Sequence, residues 1–163
     1  MIFESYTTAQ ATRVTGFKSP MMVAYLYREG VVIPSIRANP GRGRSCLYSF
    51  GDLVLLRALN RLLESRLPVA KLKQALDTQR KIFSNLGPDS EIARYLITDG
   101  TNVLLHNDPS HLVELNKDGQ LAFAFIVDIH GAREDVSTDI RKFSRKAANF
   151  QKDIRRKKRP AGP

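Results

Sequence analysis

Few residues in this sequence combine the types and the spacing that chemistry on a substrate requires. Cys46 is the only cysteine, so an internal disulfide and a thiolate-rich zinc or iron–sulfur site are excluded. His106, Asp108 and His111 could together bind a metal ion, but two histidines in a polar loop are more often solvated. His130 follows an apolar run and fits a structural role. We therefore predict no metal site and no cofactor.

Motifs of the common enzyme classes are also missing. The chain has no glycine-rich phosphate loop followed by Lys-Ser or Lys-Thr, no nucleophile elbow and no carboxylate pair with convincing spacing. No stretch approaches the roughly 18 apolar residues of a spanning helix, and the start of the chain lacks the basic residues of a signal peptide. We expect a cytoplasmic, nucleoid-associated protein that is not an enzyme and has no membrane partner.

The functional groups that cluster in this sequence are those of the basic residues. Residues 1–87 hold 13 Lys and Arg against 5 Asp and Glu, a net +8, whereas residues 88–140 hold 3 against 10, a net −7. Residues 141–163 carry 10 against 1, a net +9. A basic N-terminal module attracts a polyanion, while the acidic middle argues against continuous coating of nucleic acid. Double-stranded DNA is the partner that we predict.

Two short helices are predicted near the N-terminus. Thr7 or Thr8 caps the first, which runs to Val14, and Thr15-Gly16 breaks it. Ser19 caps the second, in which Pro20 takes the first helical position, and this helix extends to about Glu29.

Two short helices joined by a glycine-containing turn are typical of a helix-turn-helix, whose second helix enters the major groove through its N-terminal residues. This interpretation places Lys18, Ser19 and Met21 at the DNA. The alternative is an ordinary helical hairpin.

The next segment predicts a wing. Residues 30–34 begin an extended run, residues 46–48 return as a second strand, and the tip between them carries Arg42 and Arg44 among glycines. Small residues permit close approach while guanidinium groups pair with phosphates, so both arginines are candidate DNA contacts. The alternative is a solvated loop.

A pair of helices is predicted next. Ser49 caps the first, with Asp52 three residues on as a capping-box partner, and Arg57 and Arg61 lie opposite its apolar face. That face comprises Leu53, Leu56, Leu59, Leu62 and Leu63. Pro68 starts the second helix, whose buried side comprises Val69, Leu72, Ala75, Leu76 and Ile82.

Together these features resemble the DNA-binding domain of the MerR family over about residues 5–81. The resemblance is carried by Tyr6-Thr7-Thr8, Thr15-Gly16-Phe17, residues 25–30, residues 31–35, Gly41-Arg42-Gly43, Tyr48-Ser49-Phe50, Asp52-Leu53-Val54, Leu56-Arg57 and Arg61-Leu62-Leu63. It implies that Tyr25, Arg42, Tyr48 and Arg57 lie near the DNA backbone and that the helix from Pro20 occupies the major groove.

The chain departs from the family at several positions. Met21 and Ala24 stand where the family commonly has arginines, Cys46 and Leu47 stand where it has basic residues, and one extra residue separates the helix-turn-helix glycines. Because arginine reads guanine through paired donors, guanine readout of that kind is not predicted. Met21 or Met22 could contact thymine methyl groups, or Met22 packs inward.

The C-terminal half predicts a small β-containing domain. Residues 95–98 and 103–105 flank Asp99-Gly100 as a hairpin, and a last helix spans about residues 132–150. Residues 120–129 are apolar enough for a central strand, with a mixed helix and strand segment as the alternative. Its apolar face comprises Val136, Ile140, Phe143 and Ala147. The basic run at residues 155–160 could neutralise phosphates, but we expect a solvated, disordered end.

This half resembles the small β-containing domain appended to some actinobacterial MerR-like proteins and related to modules of certain toxin–antitoxin proteins. The resemblance is carried by residues 96–100 and Gly119-Gln120, and it implies dimerisation or binding of a protein partner. A long heptad helix of the kind that pairs many family dimers is not expected. Neither is sensing of thiophilic metals, since this half has no cysteine.

The predicted fold class is therefore α+β. A winged helix-turn-helix spans residues 5–84, a small mixed α/β dimerisation or partner-binding domain spans residues 89–150, and a basic tail spans residues 151–163. The leading hypothesis is a sequence-specific transcriptional regulator that acts as a homodimer on a two-fold DNA site. The alternatives are an antitoxin-like or accessory factor tethered to DNA, and an architectural DNA-binding protein of the nucleoid.

Overall fold

The computed structural model describes residues 5–39, 41–64, 68–77, 83, 85–88, 90–91, 94–98, 103–107 and 125–157. Helices and two small sheets alternate along the chain, which confirms the predicted α+β class. The elements are β1 (Tyr6–Thr7), α1 (Thr8–Thr15), α2 (Pro20–Arg28), β2 (Leu47–Tyr48), α3 (Phe50–Glu64), α4 (Val69–Leu76), β3 (Tyr95–Thr98), β4 (Val103–His106), β5 (Phe125–Asp128) and α5 (Ile129–Lys157).

The first two helices begin and end where the local chemistry dictates. Thr7 caps α1 in a capping box: its hydroxyl accepts from the backbone N–H of Gln10, whose side-chain oxygen accepts from the N–H of Thr7. Gly16 ends α1 at φ +80°, a left-handed conformation that glycine adopts without steric cost. The Ser19 hydroxyl accepts from the N–H of Met21 at 3.1 Å and caps α2, with Pro20 in the first turn. Ser19 is confirmed as the cap of α2, and of the two threonines predicted for α1, Thr7 is the cap.

The run at residues 30–34 ends α2, as predicted, but it does not continue as a strand. The backbone N–H groups of Val31 and Val32 donate to the carbonyl of Leu26 at 2.9 and 3.3 Å, and both valine side chains are buried. These residues close the end of α2 because their apolar side chains complete the core there. The wing has one bridge at its base, where Arg37 and Leu47 exchange two hydrogen bonds of 3.0 Å. β2 instead pairs with β1, in antiparallel register.

The start of α3 fixes the base of the wing through one buried carboxylate. Oδ2 of Asp52 accepts from the N–H of Ser49 at 2.8 Å, and the Asp52 N–H donates to the Ser49 hydroxyl at 3.2 Å, as predicted. The same oxygen accepts from the N–H and the hydroxyl of Ser35, at 2.8 and 2.7 Å. Asp52 therefore binds the approach to the wing to the first turn of α3.

α3 is buried on nearly every side. Its buried residues are Phe50, Gly51, Asp52, Leu53, Val54, Leu55, Leu56, Ala58, Leu59 and Leu62. A Cβ at Gly51 would lie 1.6 Å from the carbonyl oxygen of Phe83, so only glycine admits that segment. After α3, α4 follows Pro68 as predicted, with Leu76 buried and Val69 partly buried. Ile82 and the side chains of Leu72 and Ala75 lie outside the described residues.

The second sheet contains three described strands in the order β4–β3–β5, all antiparallel. The predicted hairpin is confirmed by the pairing of Leu96 with Leu105. β3 lies between the other two, and β5 is at an edge of the described sheet, whereas the sequence had suggested a central strand at residues 120–129. Ile129 already belongs to the following helix, in line with the mixed helix and strand alternative for that segment. Residues 120–124, Asp108 and His111 lie outside the described part of the chain.

α5 is much longer than predicted. It begins directly after β5 at Ile129, whose N–H donates to the carbonyl of Arg94 at 2.8 Å, and it extends over 29 residues to Lys157. Two predictions are thereby corrected: residues 151–157 are helical, and a long C-terminal helix is present. Ile129, Ala132 and Val136 pack against the core and stabilise the first half of the helix. The basic residues at the end of the sequence did not reveal this packing. Residues 158–163 lie outside the described residues.

One apolar cluster joins the two halves of the chain. The buried residues of α5 belong to the same cluster as those of α1, α2 and α3, and α5 contacts α3 and α1. Within the described ranges, no helix has the length and apolar character needed to cross a membrane.

Two buried tyrosines predict the response of this core to alkaline pH. Burial raises the pKa of both Tyr6 and Tyr48 from 10.0 to about 12. Because the folded chain retains these protons longer than the unfolded chain, the free energy of unfolding is expected to fall as the pH rises from 10.0 towards about 12. Chemical unfolding across that range measures this. The variant Tyr6→Phe/Tyr48→Phe should show a shallower fall, and a profile identical to that of the wild type would contradict the prediction.

Asp52→Ala is expected to lower the free energy of unfolding by about 2–4 kcal/mol, because it removes a cap and takes the acceptor away from the buried N–H of Ser49 and from the two donors of Ser35. Urea unfolding followed by circular dichroism measures the change. Glu64→Ala, at the exposed end of the same helix, is the matched control and should change stability by no more than about 0.5 kcal/mol. Equal effects of the two substitutions would show that the Asp52 network contributes nothing specific.

Candidate nucleic-acid interface

The outer face of α2 is exposed along its length. The inner face packs through Val23 and Leu26, which are 1% and 0% exposed, and Met22 is partly buried against the same core. Met22 therefore packs inward, as one of the two sequence interpretations had it. Met21, by contrast, is 80% exposed, although it is a large apolar side chain. An exposed methionine at the start of a second helix leaves a contact surface open for a ligand.

Polar and cationic groups surround Met21. Lys18 precedes the helix and is exposed, and Ser19 is partly buried with its hydroxyl oxygen occupied by the cap. Tyr25 is partly buried and its ring lies beneath the guanidinium of Arg28, whose Cζ is 5.5 Å from the ring centroid. This cation–π contact orients an exposed positive charge at the end of the helix.

A side-chain bond joins α2 to the wing. The hydroxyl of Tyr27 donates to Oδ1 of Asn39, and the N–H of Asn39 donates back to that hydroxyl at 3.0 Å. Asn39 has φ +47°, so the chain turns sharply at this point. The wing therefore lies next to the exposed face of the second helix. Sequence patterns gave no sign of this pair, because Tyr27 looked like one more residue of the helix.

The tip of the wing is open and cationic. Gly41 and Gly43 have φ of +73° and +77°, and nothing lies within 4 Å of a Cβ built on either. Arg42 and Arg44 are exposed, as the sequence predicted for a wing tip. Nε of Arg37 donates to the carbonyl of Ser45 at 3.0 Å and steadies the base of the loop. The two exposed guanidinium groups have the chemistry and the freedom to meet phosphates.

Two predicted contact residues are placed elsewhere. Tyr48 is 1% exposed: its ring is part of the core beside β1, and its hydroxyl is hydrogen-bonded with Thr8. Arg57 lies against Gly16, where a Cβ would come within 2.6 Å of its Nη1, and its Nη2 is 3.2 Å from Oδ2 of Asp135 in α5. Neither side chain is presented on the surface formed by α2 and the wing.

Asp135 organises the basic residues of α3. The same Oδ2 atom lies 2.7 Å from Nη2 of Arg61, so one carboxylate pairs with both arginines. Nη1 of Arg61 also donates to the carbonyl of Asp128 at 3.4 Å. Because about eighty residues separate the partners along the chain, helical spacing could show only that Arg57 and Arg61 share one face of α3.

The candidate interface therefore consists of Lys18, Ser19, Met21, Tyr25, Arg28, Arg42 and Arg44. Arg28 was missed by the sequence analysis, although its spacing of seven residues from Met21 places it on the same face of the helix. A positively charged loop beside an exposed helix suits a polyanion with a groove.

Comparison with known proteins gives relatives of one kind. The chain is 31% identical over 123 residues to an uncharacterized HTH-type transcriptional regulator of Mycobacterium bovis and, with the same values, to two of Mycobacterium tuberculosis. The match covers 68% of this chain and 53% of each relative, so the chain spans about half the length of the curated relatives it matches. No family model matches the chain. The chain is therefore similar to proteins that are named as helix-turn-helix transcriptional regulators.

Proposed function

We propose that this chain is a DNA-binding transcriptional regulator of the winged helix-turn-helix kind. The observation that carries the proposal is the bond between Tyr27 and Asn39, which holds an exposed helix beside a cationic, glycine-rich loop. Similarity to proteins named HTH-type transcriptional regulators supports DNA binding in general. The arrangement and the resemblance to the MerR family support the finer statement that α2 enters the major groove while the wing lies on the backbone.

In the proposed complex, most contacts go to phosphates. Arg42 and Arg44 supply guanidinium groups from the wing, Lys18 supplies a charge at the entry to α2, and the Tyr25 hydroxyl donates from the helix. Ser19 adds a donor, because its capping role uses only the oxygen and leaves the hydroxyl hydrogen uncommitted. Tyr48 and Arg57 are left out of the set because of their placement.

Base readout in this proposal depends on Met21. Its exposed side chain is apolar and carries no hydrogen-bonding fork, so the thymine methyl group is the base feature that it can contact best. Discrimination between sequences is then modest, and a homodimer that doubles each contact on a two-fold site would restore it. The C-terminal residues 89–150 are the proposed source of dimerisation or of contacts with a protein partner.

Arg42→Ala and Arg44→Ala are each expected to weaken duplex binding about equally for every sequence and to reduce the slope of log K against log salt by about 1. Fluorescence anisotropy with a labelled duplex over a salt series measures both effects. Arg94→Ala, which removes an exposed cation beside β3, is the matched control and should leave the slope unchanged. Unchanged slopes for the two wing variants would remove the wing from the interface.

Met21→Ala is expected to reduce discrimination without abolishing binding. Selection of bound genomic fragments first defines the preferred site, and affinity is then compared for duplexes in which uracil replaces thymine, so that only methyl groups differ. The wild type should lose affinity at one or two such positions by roughly 1 kcal/mol, and Met21→Ala should lose that dependence. If the wild type binds every duplex equally at all salt concentrations, the chain is an architectural binder and the regulator proposal fails.

A further inference from the structure

The second half of α5 lies at the surface of the molecule. Its first half is held by the core, in which Val136 and Ile140 are 0% and 2% exposed. Phe143 is still partly buried, whereas every side chain of residues 145–152 is exposed. This segment adds little to the core and is therefore accessible to a ligand.

One face of this segment carries a row of cations. Arg141, Arg145, Lys152 and Arg155 are all exposed, and with Ala148 between them they follow one another at spacings of four, three, four and three. At about 100° per residue, these spacings keep all five positions within about 80° of one another around the helix axis. The row of four cations, called the cationic stripe below, is therefore about 21 Å long.

The charge of the cationic stripe is not neutralised by the chain itself. Among the side chains that the structure describes, no carboxylate pairs with Arg145, Lys152 or Arg155. Asp153, the only acidic residue of residues 141–163, directly follows Lys152, and helical residues one position apart do not face each other. Because like charges three or four residues apart in a helix repel one another, a bound polyanion would relieve that repulsion.

The position of Phe150 indicates which polyanion the cationic stripe fits. A basic helix that lies on an anionic membrane inserts its apolar face and keeps its cations near the headgroups. Phe150 is a large apolar side chain that is 67% exposed. It lies roughly 180° around the helix from the stripe, so a membrane that received Phe150 would have the stripe turned away from it. Duplex DNA can meet the stripe directly, because its phosphates need no apolar face.

The cationic stripe belongs to the same folded body as the candidate interface. Cζ of Arg13 in α1 lies 5.2 Å from the ring centroid of Phe143, and α5 also packs on α3. α1 is the first helix of the proposed helix-turn-helix, and Lys18 follows three residues after its end. From Phe143 to Lys157 the helix rises about 21 Å, the length of about six base pairs of DNA. The stripe can therefore reach DNA beyond the base pairs next to α2.

We propose that the cationic stripe of α5 binds the phosphate backbone of the duplex that α2 and the wing contact, in the DNA that flanks their site. The guanidinium and ammonium groups pair with phosphates, and the small side chain of Ala148 lets the backbone approach the helix closely. Such contacts carry no base information, so they add affinity and salt dependence without specificity. The inference rests on the proposed function and deepens it by adding a second DNA-binding surface.

The length of the duplex separates the two surfaces. Fluorescence anisotropy of the full chain compares a duplex of about 24 base pairs, enough for two half-sites one turn apart, with one of about 44 base pairs and the same centre. Arg145→Gln/Lys152→Gln should weaken binding to the longer duplex at least about tenfold and reduce its salt slope by about 2 per bound chain. Binding of the shorter duplex should stay within about twofold of the wild type, because it lacks the flanking phosphates.

The matched control removes the same charge elsewhere. Lys73 and Arg94 are exposed cations outside both α5 and the candidate interface, and Lys73→Gln/Arg94→Gln should leave binding of both duplexes within about twofold. Circular dichroism of each variant checks that the fold is retained. Equal weakening of both duplexes by the stripe variant would overturn the inference, because a diffuse effect of charge, rather than contact with flanking DNA, would then explain the loss.

The remaining outcomes distinguish this inference from the proposed function. A stripe variant that matches the wild type on the longer duplex overturns the inference and leaves the proposed function standing. Binding that depends on the stripe but not on Arg42 and Arg44 retains the stripe as a DNA-binding surface and overturns the proposed function. Co-sedimentation with phosphatidylglycerol vesicles completes the test: vesicle binding that the stripe variant loses, with its DNA binding unchanged, would assign the stripe to a membrane and overturn the inference.

Discussion

Burial of α3 is the constraint on which the rest of the structure depends. This helix contacts α1, α5, β2 and β5, and ten of its residues are withdrawn from solvent. Asp52 fixes its start to the base of the wing, while Arg57 and Arg61 bind its far half to α5. Since a helix enclosed in this way has little surface to offer a ligand, the proposed recognition of DNA falls to other elements. α2 and the wing both keep exposed faces that carry cations.

Basic residues have two different roles in this structure, and a count of net charge cannot tell them apart. In α3 they neutralise Asp135 and join the two halves of the chain, whereas in the wing they remain exposed and available to phosphates. Arg57 and Arg61 share one carboxylate and are held towards it, so they have less to gain from a phosphate than an exposed arginine does. The electrostatic case for DNA therefore depends on Arg42 and Arg44 rather than on the total of the N-terminal half.

The same reasoning applies to aromatic and apolar groups on the interface. Tyr48 lies in the core, and its hydroxyl is committed to Thr8, whereas Tyr25 is positioned beside Arg28 at the surface. Met21 is the large apolar side chain that α2 leaves exposed, and the match between its chemistry and a thymine methyl group gives it its part in the proposed readout. At the other end of the chain, Phe150 is a second large apolar side chain that the fold leaves exposed.

The sequence alone determined the features that depend on near neighbours in the chain: a cap at Thr7 or Thr8, the caps at Ser19 and Ser49, the break at Gly16, and the β3–β4 hairpin. Tertiary structure decided what depends on distant partners. Residues 31 and 32 are buried in the core at the end of α2 instead of forming a strand. Asp135 pairs with two arginines that lie about eighty residues away along the chain. The length of α5 was likewise not predicted from the sequence. The first half of the helix packs on the core, and the basic C-terminal segment continues that helix. Local hydrogen bonds can be inferred from spacing, whereas burial is settled by the whole fold.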